Sequence, residues 1–170
     1  MTPVDEHRRY APRSLGFAVL TASDSRAEVE DHSGQIIDDL VIAADHRVVD
    51  KRVVRDEVSA IRAAVDGALT EHQADVVVIN GGSGFSPRDV TLEAVAPLLE
   101  KTIEGFGELF RMLSFEQVGS AAMLSRATAG IVGQSVVFIL PGSPKAVELA
   151  MRKLILPEVA HLLGQVRRQS

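Results

Sequence analysis

Apolar residues fall into two rhythms along this chain. Nearly unbroken runs at 15–21, 76–79 and 136–140 are separated by stretches in which apolar positions recur every three or four residues. A short continuous apolar run, rich in β-branched residues and bounded by turn signals, reads as a strand buried on both faces. The three-and-four spacing reads as one face of a helix. Strand 15–21 is followed by a polar turn, Ser23-Asp24-Ser25, and by a helix that Ser33 is positioned to cap, with Ile36, Ile37, Leu40 and Val41 on one face. A second strand fits 47–54, and Val58, Ile61, Val65 and Leu69 mark the next helix. The run at 76–79 ends in a glycine turn, after which a helix opens near Thr91 and carries Ala94, Val95 and Leu98.

This alternation predicts an α/β fold: a single-domain three-layer α/β/α sandwich around a mostly parallel central sheet. Right-handed crossovers place every strand-to-helix loop at one end of such a sheet, where ligands bind outside the carboxyl ends of the strands. Ser23-Asp24-Ser25, Arg55-Asp56-Glu57 and the glycine turn are therefore expected in one crevice. The second half is less regular. A helix with a glycine hinge is expected over 103–114, and 125–130 leads into Ile131 and Val132. Strand 136–140 stops at Pro141-Gly142-Ser143-Pro144-Lys145, a turn expected at the same sheet end. A helix then runs from Ala146 through Val147, Met151, Leu154 and Ile155, with Pro157 kinking or restarting it. Residues 1–13 read as a flexible tail and 14–170 as one domain, without internal repeats.

Composition narrows the classes. A length of 170 residues with 46% hydrophobic and 24% charged residues suits one soluble globular domain. There is no cysteine, which excludes disulfides, zinc–thiolate sites, thiol nucleophiles and iron–sulfur ligation and suits a cytoplasmic location. No apolar run approaches the roughly 20 residues of a membrane span, and the opening segment lacks the apolar stretch of a leader. A net charge of −5 argues against non-specific nucleic-acid binding. The five histidines are scattered without metal-ligand spacing, and the acidic stretch 28–31 reads as a solvated loop.

The most telling stretch is Asn80-Gly81-Gly82-Ser83-Gly84, continuing to Arg88-Asp89. A buried strand that enters a helix through a glycine-rich turn is how α/β proteins seat a phosphate, because glycine brings bare N–H groups against an anion. The common loop patterns fail: there is no Gly-Lys pair, Pro87 stands where a dinucleotide loop needs its third glycine, and Phe85 replaces the last glycine of a hydrolase elbow. A cation such as Arg88 suits a phosphate. A carboxylate beside one is repelled unless a metal ion intervenes, so Asp89 points to Mg²⁺-dependent phosphoryl chemistry. Asp56 reads either as its partner or as a helix N-cap, and Asp24 as a site residue, turn or cap. Ser143 and Lys145 either start the last helix or face the crevice. Arg111 and Arg126 fit anion ligands and interface ion pairs equally.

These residues resemble a known family. Gly81-Gly82-Ser83-Gly84, Arg88-Asp89-Val90-Thr91 and Glu93-Ala94 are similar to the GGTG…RDVT.EA signature of MoaB/MogA-type molybdenum cofactor biosynthesis proteins. Further matches are Thr21 to Ser25, Asp31-His32-Ser33-Gly34, the EGFGELFRMLS run opening at Glu104-Gly105, Ser125-Arg126-Ala127 and 140–145, with the EGFGELFRMLS run leaning to the MoaB branch. The chain departs from the family at Asn80 and Ser83, where threonine is usual. Arg88-Asp89-Val90-Thr91 separates it from the molybdenum-insertion and competence-damage relatives.

The resemblance implies a molybdopterin adenylyltransferase that moves AMP from ATP to the molybdopterin phosphate and releases pyrophosphate. It implies Mg²⁺ held by Asp56 and Asp89, which act as the catalytic pair. The nucleotide and molybdopterin would lie against Ser23, Asp24, Ser25, Asn80, Gly81, Gly82, Ser83, Gly84, Arg88, Glu104, Gly105, Pro141, Gly142, Ser143 and Lys145. It also implies a homotrimer or homohexamer, and admits a molybdenum-insertion enzyme as a partner. The segment around Phe106, Leu109, Phe110 and Leu113 serves either that interface or the core. A non-catalytic molybdopterin carrier or scaffold is the alternative, and a nucleotide-pyrophosphate hydrolase a weaker one.

Overall fold

The computed structural model describes residues 14–24 and 30–168. The expected tail and Ser25 lie outside them. Six strands, β1 (Gly16–Ala22), β2 (Arg47–Val54), β3 (Val76–Asn80), β4 (Lys101–Thr102), β5 (Thr128–Val132) and β6 (Ser135–Leu140), form one sheet in the order β2-β1-β3-β6-β5-β4. The first four in that order run parallel, while β5 and β4 are antiparallel additions at the β6 edge.

Strand periodicity divides the core in two. Phe17, Val19, Val76, Val78, Val136, Phe138 and Leu140 face one side. They pack with Ile37 and Val41 of α1 (His32–Ala43), Phe106 and Phe110 of α4 (Glu104–Val118), Val147 of α5 (Pro144–Ala150) and Val159 of α6 (Leu156–Val166). The intervening residues Ala18, Leu20, Val77, Ile79, Val137 and Ile139 face the other side. There they meet Ile61 and Val65 of α2 (Val58–Thr70) and Ala94 and Val95 of α3 (Thr91–Val95). Successive side chains of a strand point to opposite faces, so two helical layers are needed to cover both. The result is the expected mostly parallel α/β/α sandwich.

Several local expectations are corrected. Asp31, not Ser33, caps α1: its Oδ1 accepts the Gly34 N–H at 2.9 Å. Its Oδ2 accepts the Thr21 hydroxyl at 2.7 Å, so this end of the supposedly solvated acidic stretch is buried. The helix expected through Leu98 leaves α geometry at Ala96 and tightens into a 3₁₀ turn, because Pro97 cannot supply the next N–H. Between α5 and α6 the chain widens into a π-type turn, Met151–Ile155, immediately before Pro157. The wider turn absorbs the proline's missing donor and bulky ring without ending the helix. The irregular middle contains the hairpin β5–β6, in which Gly133 at φ 58° makes the turn between the paired Val132 and Ser135.

Candidate functional site

The ends of β1, β3 and β6 meet where two glycine turns touch. Gly81 has φ 89°, and a Cβ there would lie 2.3 Å from the Ala22 carbonyl oxygen. A Cβ on Gly142, in the turn after β6, would come within 3.0 Å of the Gly81 Cα. Only glycine fits the first position, and the two turns are packed backbone to backbone.

The backbone polarity of the glycine turn is sorted. Thr91 takes two successive carbonyls: its hydroxyl donates to Gly81 O at 2.8 Å and its N–H to Gly82 O at 2.9 Å. Arg126 takes the next two, Nε donating to Ser83 O at 3.0 Å and Nη2 to Gly84 O at 2.6 Å. The N–H groups of Gly82, Ser83 and Gly84 donate to no protein acceptor among the described residues. Four consecutive carbonyls are bound by the protein, while three amides remain beside a cavity of about 490 Å³ lined by Ser23, Gly81 to Gly84, Asp89, Ser125, Arg126, Pro141 and Gly142. Unpaired donors are rare where they cannot reach water or a ligand, and a run of bare amides is an anion seat.

Two carboxylates lie against the same turn. A Cβ on Gly82 would meet Asp56 Oδ1 at 2.1 Å, and one on Gly84 would meet Asp89 Oδ2 at 2.8 Å. Asp89 Oδ2 accepts the Ser86 N–H at 2.9 Å. Asp56 Oδ1 is buried without a hydrogen-bond partner among the described residues. Burial, and then the neighbouring Asp89 charge, push the Asp56 carboxyl above its ordinary value. Asp56 is not the cap of α2, since Glu57 occupies that position and makes no side-chain cap bond. An orphaned carboxylate oxygen facing a second carboxylate suits a hard divalent cation. Mg²⁺ commonly uses one or two carboxylates and completes its shell with water and phosphate oxygens. The absence of a third clustered acidic or histidine ligand among the described residues is compatible with that habit.

Other predicted residues have different places. Asp24 Oδ1 accepts the Asp56 N–H at 3.2 Å, and Oδ2 pairs with Arg88. Arg88 is thus tied to Asp24 and lines neither cavity. Asn80 lies fully buried under the turn, donating to Thr21 Oγ1 at 2.8 Å and to Leu20 O at 3.3 Å, so it supports the site and does not face the cavity. Ser143 caps α5, accepting the Ala146 N–H at 3.2 Å. With Lys145 and Pro144 it lines a groove of about 1030 Å³, walled also by Phe110, Ser114, Val118 and Leu149, which shares Ala121, Ser125 and Pro141 with the smaller cavity. Glu104 and Gly105 line neither space. They open α4, which meets the groove only from Phe110 onward, about 9 Å along the helix at 1.5 Å per residue.

Ser33, Thr21 and Arg111 complete the frame in roles the sequence did not indicate. Ser33 donates its hydroxyl to Gly142 O at 2.8 Å, fastening the second turn to the start of α1. Thr21 connects Asn80 to Asp31. Arg111 approaches Ser125 O and Ala127 O, both at 3.4 Å, and so belongs to the packing of α4.

Residues 18–161 match the family described as "Probable molybdopterin binding domain". The chain is similar to molybdenum cofactor biosynthesis protein B of Bacillus cereus, with 48% identity over 167 residues, 98% of this chain and 99% of the relative. It superimposes on a crystal structure of a molybdenum cofactor biosynthesis protein B with a TM-score of 0.89 and 49% identity, covering 94% of this chain and 99% of that one. A tungsten cofactor synthesizing protein MoaB from Pyrococcus furiosus gives a TM-score of 0.86 and 41% identity over 93% of this chain and 100% of the other.

Proposed function

The chain belongs to the molybdopterin-binding family of molybdenum cofactor biosynthesis proteins, and from that membership we propose that it is a molybdopterin adenylyltransferase. A terminal phosphate oxygen of molybdopterin attacks the α-phosphorus of ATP and forms a new P–O–P bridge. The bond from that phosphorus to the β-phosphate breaks, and pyrophosphate leaves with the electron pair. No side chain need act as a nucleophile. Two anions must be brought together and aligned, which calls for positioning and for positive potential. The amides of Gly82, Ser83 and Gly84 hold phosphate oxygens, and the cavity and adjoining groove are large enough together for two substrates. Asp56 and Asp89 would hold Mg²⁺, which when bound neutralises charge between phosphate groups.

The observation that carries the reading is Asp56 Oδ1, buried without a partner among the described residues and close enough to Asp89 to feel its charge. A pure anion carrier is weakened by two carboxylates at its binding turn. We expect molybdopterin-dependent pyrophosphate release from Mg·ATP in the wild type. Asp56→Asn and Asp89→Asn should each lower it at least 100-fold while molybdopterin binding persists. Molybdopterin binding with no release in the wild type would make the protein a carrier or scaffold, and release without molybdopterin would make it a hydrolase.

A further inference from the structure

We infer that Arg126 is a positioning residue that holds the glycine turn in its amide-inward form, and that it is not a phosphate ligand. The inference deepens the transferase reading and rests on it for its kinetic half only. Arginine has five N–H donors in a rigid fork. Here Nε is directed at Ser83 O at 3.0 Å, Nη2 at Gly84 O at 2.6 Å and Asp89 O at 3.4 Å, and Nη1 at Glu93 Oε1 at 2.5 Å. Four of the five donors are thereby committed to the protein. The guanidinium also lies over the Phe85 ring, 5.3 Å from its centroid.

The targets explain what the residue does. Peptide units are planar, so fixing the carbonyls of Ser83 and Gly84 on one side turns the N–H groups of Gly84 and Phe85 to the other. This completes what Thr91 does for the N–H groups of Gly82 and Ser83 through the carbonyls of Gly81 and Gly82. Holding Asp89 by its own carbonyl fixes the backbone under a proposed metal-binding carboxylate, as outer partners do for metal ligands generally. Glu93, in the first turn of α3, anchors the fork, and its hydrogen bond to Arg126 lowers the Glu93 carboxyl below its ordinary value. A lysine would keep the charge but could not span three carbonyls and a carboxylate from one ammonium. That difference separates positioning from charge.

The test uses the full chain with Arg126→Lys, Arg126→Ala and Glu93→Gln. Hydrogen exchange of the bonded amides that close the turn, Ser86 on Asp89 Oδ2, Asp89 on Ser86 O and Thr91 on Gly82 O, needs no substrate. Both Arg126 variants should speed it at least 10-fold, and Glu93→Gln should do so to a smaller extent, with exchange in β1 and β3 unchanged. In pyrophosphate release, Arg126→Lys should match Arg126→Ala, with a 10- to 100-fold loss in kcat, a change in KM for ATP below threefold and a raised Mg²⁺ requirement. Near-normal exchange and kinetics in Arg126→Lys beside a defective Arg126→Ala would overturn the inference in favour of a charge contact to phosphate. Unchanged exchange in all three variants would overturn it as well. An inactive wild type with loop exchange altered as expected would remove the transferase reading and leave the positioning role standing.

Discussion

The ionisable residue with the clearest consequence is Asp56. Its carboxyl is raised above the ordinary value of 3.8 by burial and by Asp89, so the folded state binds that proton more tightly than the unfolded chain. The favourable contribution is fully present below 3.8 and is lost as pH rises through the raised value. At neutral pH the charge costs stability, and Asp56→Asn is expected to raise the thermal midpoint at pH 7. The gain should shrink toward pH 4, and Mg²⁺ should stabilise the wild type more than the variant. A midpoint difference independent of both pH and Mg²⁺ would contradict this account. His46 has the opposite sign. Burial, dominant over Asp45 and Asp75, lowers it, and its Nδ1 accepts the Leu15 N–H at 3.3 Å. Its contribution is present above its ordinary value of 6.5 and fades as pH falls through the lowered one. That Asp89 and the glycines share one turn could be read from the chain, because the arrangement is local. Arg126 could not, since it reaches the turn from 42 positions away at Gly84 and no spacing rule links them.

Elements were legible where one physical cause dominated. Runs buried on both faces announced β1, β3 and β6, and period-3.6 patterns announced α1 and α2. The strands β4 and β5 were not legible: one has two residues, and the other contains Ala129-Gly130, which carries little strand preference. The start of α1 was misread because Asp31 and Ser33 both qualify as caps, and the choice depends on Thr21, ten residues away. That junction makes α1 a sensitive element. Asp31→Ala removes the cap and leaves Thr21 and Asn80 with a broken chain of hydrogen bonds, a loss of about 2–4 kcal/mol measurable by urea unfolding. Ser33→Ala removes only the tie to Gly142 and should cost about 1 kcal/mol. Equal effects would place the capping role elsewhere.

At the scale of the whole molecule, α4 divides its apolar residues between two duties. Phe106 and Phe110 enter the core, whereas Leu109, Met112, Phe115 and Val118 remain exposed and continue into Met123 and Leu124. The sequence could not separate core from interface in this segment, because both duties use the same spacing. An exposed apolar stripe of this extent marks an association surface, and we expect self-association through it. Met112→Glu or Phe115→Glu should lower the mass seen by light scattering without lowering the thermal midpoint of the monomer. Phe110→Ala should instead destabilise the fold by about 3–5 kcal/mol. A wild type that is monomeric at micromolar concentration would remove the stripe from assembly. The contact between Gly142 and Gly81 carries a different lesson, for recombination. The two turns are cast against one another although 61 positions separate them in the chain. A crossover between homologous genes that falls between them joins turns shaped in different parents, whereas a crossover outside them transfers the pair intact. Functional chimeras should therefore show a depletion of breakpoints between 82 and 141 that tracks backbone fit at this contact.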